Sequence, residues 1–64
     1  MQHIHWASRD GVLVAKLKHD GIMGLLTLWD TEYGIISEQF GYMPALEQRG
    51  DAWIGEGASK DYIE

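Results

Sequence analysis

Asp10-Gly11-Val12-Leu13-Val14-Ala15-Lys16-Leu17-Lys18-His19-Asp20-Gly21 is the stretch on which the reading of this chain turns. An apolar-rich run bounded at both ends by Asp-Gly marks a β-strand between two tight turns, because glycine accepts the positive φ that two-residue hairpin loops demand. Pairing outward across Asp10-Gly11 sets Trp6 against Ala15, Ile4 against Leu17, His5 against Lys16 and His3 against Lys18. One face then collects Ile4, Trp6, Leu13, Ala15 and Leu17, and the other collects His3, His5, Arg9, Lys16 and Lys18. That separation is what a half-buried antiparallel pair requires. With Asp20-Gly21 as the second loop, Leu13 faces Leu28, Ala15 faces Leu26 and Leu17 faces Gly24, all on the face already assigned to the core. Two turns agree on one buried face, as expected of a sequence whose local signals are mutually consistent.

Working outward, residues 20–33 admit a competing helix, since Ile22, Leu25, Leu26, Trp29 and Tyr33 fall at helical spacing behind Asp20. Gly21 and Gly24 inside that helix, and Asp30 and Glu32 near its negative end, favour the strand. Asp30-Thr31-Glu32-Tyr33-Gly34 reads as a turn and Ile35 to Phe40 as a fourth strand of undetermined register, ended by Gly41. Pro44 and Gly50 bracket a short helix over 44–49. Trp53-Ile54 reads as a brief fifth strand or a plug at one end of the core, and residues 55–64 as a flexible tail after a single domain over 1–54. The expected fold is mainly β, an antiparallel meander of four or five strands with one short helix. This order of elements resembles that of the small SH3-like barrels, a likeness of element order alone that implies no function.

Composition narrows the chemistry. The chain has 64 residues, enough for one domain and a small core. It has no cysteine, which removes disulfides, thiolate metal sites and thiol nucleophiles. No apolar run is long enough to span a membrane. Met1 to Trp6 lacks the basic and apolar regions of a secretory signal, so the expected location is cytoplasmic, or the host cytoplasm for a virus-encoded protein. The net charge is −5 and unevenly placed. Residues 1–29 hold Arg9, Lys16 and Lys18 against Asp10 and Asp20, whereas residues 30–64 hold Arg49 and Lys60 against eight carboxylates. A net-acidic domain repels nucleic-acid phosphates and is attracted to basic protein surfaces.

Catalytic and cofactor signals are weak throughout. Gly50 to Gly57 has glycines at phosphate-loop spacing but lacks the Lys-Ser/Thr pair that contacts phosphate and magnesium, and Glu56 stands in their place. Ser8, Ser37 and Ser59 have no elbow or triad spacing around them. His3-x-His5 puts two imidazoles on one strand face, but Lys16 and Lys18 opposite them oppose a cation, and no carboxylate of the hairpin completes a ligand set. The expectation is no enzyme activity, no cofactor and no metal.

Strand three carries the most informative pattern, because it is apolar on both sides. Leu26 and Leu28 point to the core, while Met23, Leu25 and Trp29 point the other way beside Val12 and Val14. Either Phe40, Tyr42, Trp53 and the short helix cover this second face, or it marks an interface with a homodimer mate or another protein. The expected function is a small acidic protein-binding module, in the manner of virus-encoded inhibitors that dock on a basic nucleic-acid-handling surface. Its contact set is Val12, Val14, Met23, Leu25 and Trp29 for affinity, with Asp30, Glu32, Glu47, Asp51 and Glu56 for steering. The alternative is a nucleic-acid or phosphate binder using His3, His5, Arg9, Lys16 and Lys18, followed by a His-dependent metal protein.

Overall fold

The computed structural model describes residues 1–64. Five strands and one helix follow one another as β1 (Gln2–Ala7), β2 (Leu13–His19), β3 (Met23–Asp30), β4 (Gly34–Tyr42), α1 (Met43–Ile54) and β5 (Ser59–Ile63). The strands form a single antiparallel sheet in the order β4-β3-β2-β1-β5. It is an open meander rather than a barrel, since β4 and β5 lie at opposite edges.

Each hairpin turn is held by an aspartate. The Asp10 carboxylate accepts from the Ser8 hydroxyl and the Val12 N–H, Asp20 accepts from the N–H groups of Ile22 and Met23, and Asp30 accepts from those of Glu32 and Tyr33. These bonds satisfy turn N–H groups that no strand can reach. The β1–β2 register pairs Trp6 with Ala15, Ile4 with Leu17, His5 with Lys16 and His3 with Lys18, as expected from the sequence. The β2–β3 register differs from expectation by two residues: Ala15 pairs with Leu28, Leu17 with Leu26 and His19 with Gly24. Asp20 opens that turn instead of occupying its centre, so Gly21 at φ 99° and Ile22 form the loop. A slip of two leaves every side chain on its assigned face, because the strand period is two. Residues 23–30 are strand, which removes the helix alternative.

Helix α1 lies across one face of the sheet, and the core forms between them from Ile4, Trp6, Ala15, Leu17, Leu26, Leu28, Leu46 and Ile54. Burying a side chain such as Ile4, Leu17 or Leu26 contributes about 1.5–3 kcal/mol each. The helix runs well past the expected 44–49, and Gly50 is interior to it rather than its end. Leu46, Gly50 and Ile54 share its buried face at four-residue spacing. The glycine is there for approach: a Cβ at position 50 would sit 2.8 Å from the Trp6 ring. Trp53 and Ile54 accordingly belong to the helix and pack on the core instead of forming a strand. Residues 59–63, expected within a flexible tail, form edge strand β5, pairing with β1 from Ala7↔Ser59 to His3↔Ile63. Gly41 does not end β4, which continues to Tyr42 opposite Met23.

The Trp6–Gly50 contact generates a stability prediction. Alanine is about 1 kcal/mol better than glycine in a helix interior, yet Gly50→Ala should lower the unfolding free energy by about 1–3 kcal/mol because the ring and helix must separate. Urea unfolding of the two proteins checks this, and a stabilised variant would show that the indole yields freely.

Candidate functional site

Side chains paired across antiparallel strands point to the same side, so the face of the sheet away from α1 is a grid. Read from β4 to β5, one row is Phe40, Leu25, Lys18, His3 and Ile63. The next is Glu38, Thr27, Lys16, His5 and Asp61. The third is Ile35, Trp29, Val14, Ala7 and Ser59, and Met23 pairs with Tyr42 at the end of β3 and β4. Nothing in the chain covers this face, since the helix contributes its core residues to the other side.

Val14, Met23, Leu25 and Trp29 therefore come together as the sequence implies, with Val12 at the adjoining turn. Phe40 and Tyr42 do not cover them. They stand beside them on β4, 74% and 69% exposed, and enlarge the patch. Ile35 joins through a β-bulge: Leu28 pairs with Ser37 but Trp29 with Ile35, leaving Ile36 unpaired and both isoleucines exposed. Sequence reasoning missed Ile35, Phe40 and Tyr42 because their side depends on the length of the β3–β4 loop and on that bulge.

The centre of the face is cationic. Lys16 and Lys18 make no ion pair, and the Lys16 ammonium lies 6.0 Å from the Trp29 ring centroid. The His3 and His5 rings meet edge to face at 6.1 Å. Partial burial, and then the nearby His5, Lys18 and Lys16, hold the His3 imidazole below its ordinary 6.5. No three His, Asp or Glu side chains converge to hold a metal ion. Arg9 stands apart from this basic group, in the β1–β2 loop against Gly57.

The carboxylates divide by place. Asp30, Glu32 and Glu56 lie at the end of the molecule formed by the β1–β2 and β3–β4 loops and the α1–β5 connection, and Asp10 joins them there. Glu47 and Asp51 lie on α1, in the layer opposite the open face, and are engaged. Lys60 of β5 donates to Glu47 Oε2 at 2.7 Å and pairs with Asp51 Oδ1 at 2.8 Å. Tyr62 Oη donates to Glu47, and the Trp6 indole N–H donates to Asp51 Oδ1 at 2.8 Å. Glu47 and Asp51 thus fasten the helix to β1 and β5 instead of steering a partner. The Lys60 hydrogen bonds hold both carboxyl groups below their ordinary values. Desolvation disfavours the Lys60 ammonium, but its bonds to Asp51 and Glu47 outweigh this and raise its pKa.

A search against protein-family models, curated proteins and solved structures finds no match to this chain. No helix of the protein is long and apolar enough to cross a membrane.

The network generates a pH prediction with a definite sign. Depressed carboxyl groups stabilise the fold above their unfolded values, 4.5 for Glu47 and 3.8 for Asp51, and lose that contribution as pH falls further. The raised Lys60 contributes fully below its unfolded 10.5, losing this only as pH climbs through the higher folded value. The protection factors of the β5 amides, exchange being corrected for its intrinsic pH dependence, should fall on acidification through this carboxyl range before those of β2 and β3. Lys60→Met should flatten the acid dependence, and an unchanged acid profile would remove the network from the account of stability.

Proposed function

We propose that the protein is a small non-catalytic protein-binding module that docks through the uncovered face of its sheet. The observation that carries this reading is the one-sided cover: α1 packs on one face, so Leu25, Trp29, Ile35, Phe40 and Tyr42 remain accessible on the other. A contiguous apolar patch with a polar rim is the usual mark of an interaction site, and exposed aromatic side chains provide the strongest anchors in such sites. The loop end, with Asp10, Asp30, Glu32 and Glu56 against Arg9, supports a partner with a basic surface. Summed charge at one pole raises the rate of encounter with a surface of opposite sign. On this reading the module occupies a basic, nucleic-acid-handling surface and inhibits by occupancy.

One observation favours a second reading. Lys16 beside Trp29 and Lys18 beside Leu25 and Phe40 juxtapose free cations with flat apolar groups, as in platforms for single-stranded nucleic acid. Glu38 and Asp61 bracket Lys16 in its own row, and the net charge of −5 repels phosphate, so this reading ranks second. Oligonucleotide binding that weakens steeply with salt and is lost in Lys16→Ala would promote it.

Two measurements test the first reading. Leu25→Glu and Phe40→Glu should each abolish capture of a host protein by the chain while its amide spectrum stays folded, because a charge in a desolvated contact is left unpaired. Capture that survives both changes would sink the proposal. Glu32→Lys combined with Glu56→Lys should leave thermal stability within about 1 kcal/mol, since surface charges contribute little. It should also slow association with the captured partner and flatten the salt dependence of the on-rate. Equal slopes would show that the loop end only solubilises the protein.

A further inference from the structure

The geometry points to a second copy of this chain as the occupant of the open face when no other partner is bound, in a face-to-face pair that a partner must displace; this rests on reading that face as a docking surface. The two halves of the face differ in bulk. β3 and β4 present Trp29, Ile35, Leu25 and Phe40, whereas the same rows on β2 and β1 present Val14 and Ala7, or Lys18 and His3. A two-fold axis in the plane of contact, parallel to the strands and between β2 and β3, lays each half on the other half of the second copy. Trp29 then meets Val14, Ile35 meets Ala7, Leu25 meets the aliphatic stem of Lys18 and Phe40 meets the His3 ring. Protruding groups face small or flexible ones in three of the four pairs, and in the fourth two flat rings meet, which suits close packing between two surfaces. This axis keeps the strand directions aligned, as in sandwiches of two sheets about 10 Å apart.

Charge agrees with this axis and excludes two others. In the middle row Glu38 meets His5 and lies one strand from Lys16, while Lys16 itself meets Thr27. An axis along β2 would instead set Lys16 against its own copy and Glu38 against Asp61. An axis perpendicular to the strands through the middle row would set Glu38 and Lys16 each against itself. Both alternatives juxtapose like charges, which selects against them. The two lysines and two carboxylates of the face avoid like-charge contact about this axis; an axis along β3 also avoids it, but sets Trp29 and Leu25 each against its own copy, bulk against bulk. An isologous contact requires self-complementarity, and a chain whose core has eight residues gains stability from such closure.

Sedimentation equilibrium over a range of about 10 µM to 1 mM, spanning the dissociation constants of weak dimers, tests the pairing with the full chain. Wild type should show the mass of two chains. Glu38→Lys should weaken the dimer by about tenfold or more by setting a cation near Lys16 and His5. Adding Lys16→Glu should restore it, a rescue that a merely structural defect would not show. Isotope-filtered contacts between Trp29 of one copy and Val14 of the other should accompany the dimer. A wild-type chain that stays monomeric to the upper limit overturns the inference, as does a dimer indifferent to Glu38→Lys and Phe40→Glu. A monomer whose capture of a host protein is still lost in Phe40→Glu removes the second copy while leaving the docking reading in place.

Discussion

The indole of Trp6 packs against α1 at Gly50, and its N–H donates to Asp51 one residue further on. These two contacts fix the height and the rotation of the only helix over the sheet. From that placement Leu46 and Ile54 reach the core on either side of Gly50, and Glu47 comes to face β5. Lys60 then closes the arrangement, bonding both helix carboxylates while its ammonium lies 5.5 Å from the Trp6 ring centroid. One aromatic side chain on β1 thereby organises the helix above it and the edge strand beside it. Close packing makes this contact unforgiving, because neither a Cβ at position 50 nor a shift of the ring can be absorbed without moving the helix.

A sheet of five strands with a single helix has two faces and cover for one. The helix supplies Leu46, Ile54 and the flanking Met43 and Trp53 to the core side. Nothing remains in the chain to shield Leu25, Trp29 and Phe40. In a larger domain a second layer would bury such residues. Here the same residues that favour strand formation, β-branched and aromatic groups at alternate positions, stay in contact with solvent or with whatever docks there.

Charged groups serve three purposes, distinguished by place. Asp10, Asp20 and Asp30 are turn residues that bond to backbone N–H groups. Glu47, Asp51 and Lys60 join elements across the core edge. Lys16, Lys18, Glu38 and Asp61 are laid out in rows on the open face with no partner inside the chain. Only the last group is free to act between molecules, and the acidic loop end adds direction to approach rather than strength.

The sequence by itself determined the hairpins, the buried face of β1 to β3 and the placement of Val14, Leu25 and Trp29 on the other side. These follow from local chemistry, since turn residues and a period of two act over a few positions. Even the two-residue error at Asp20 preserved the faces, because strand parity is insensitive to it. Tertiary structure decided the rest. Gly50 looked like a helix terminus until the Trp6 ring, distant in sequence, showed why it has no side chain. Residues 59–63 looked like a tail because Lys60 finds Glu47 and Asp51 only after the helix has crossed the sheet. The side on which Phe40 and Tyr42 emerge depended on one bulge at Ile36, and a single inserted residue reverses the facing of everything that follows it in the strand. Local periodicity cannot encode such contacts, because each is set by where another element comes to rest.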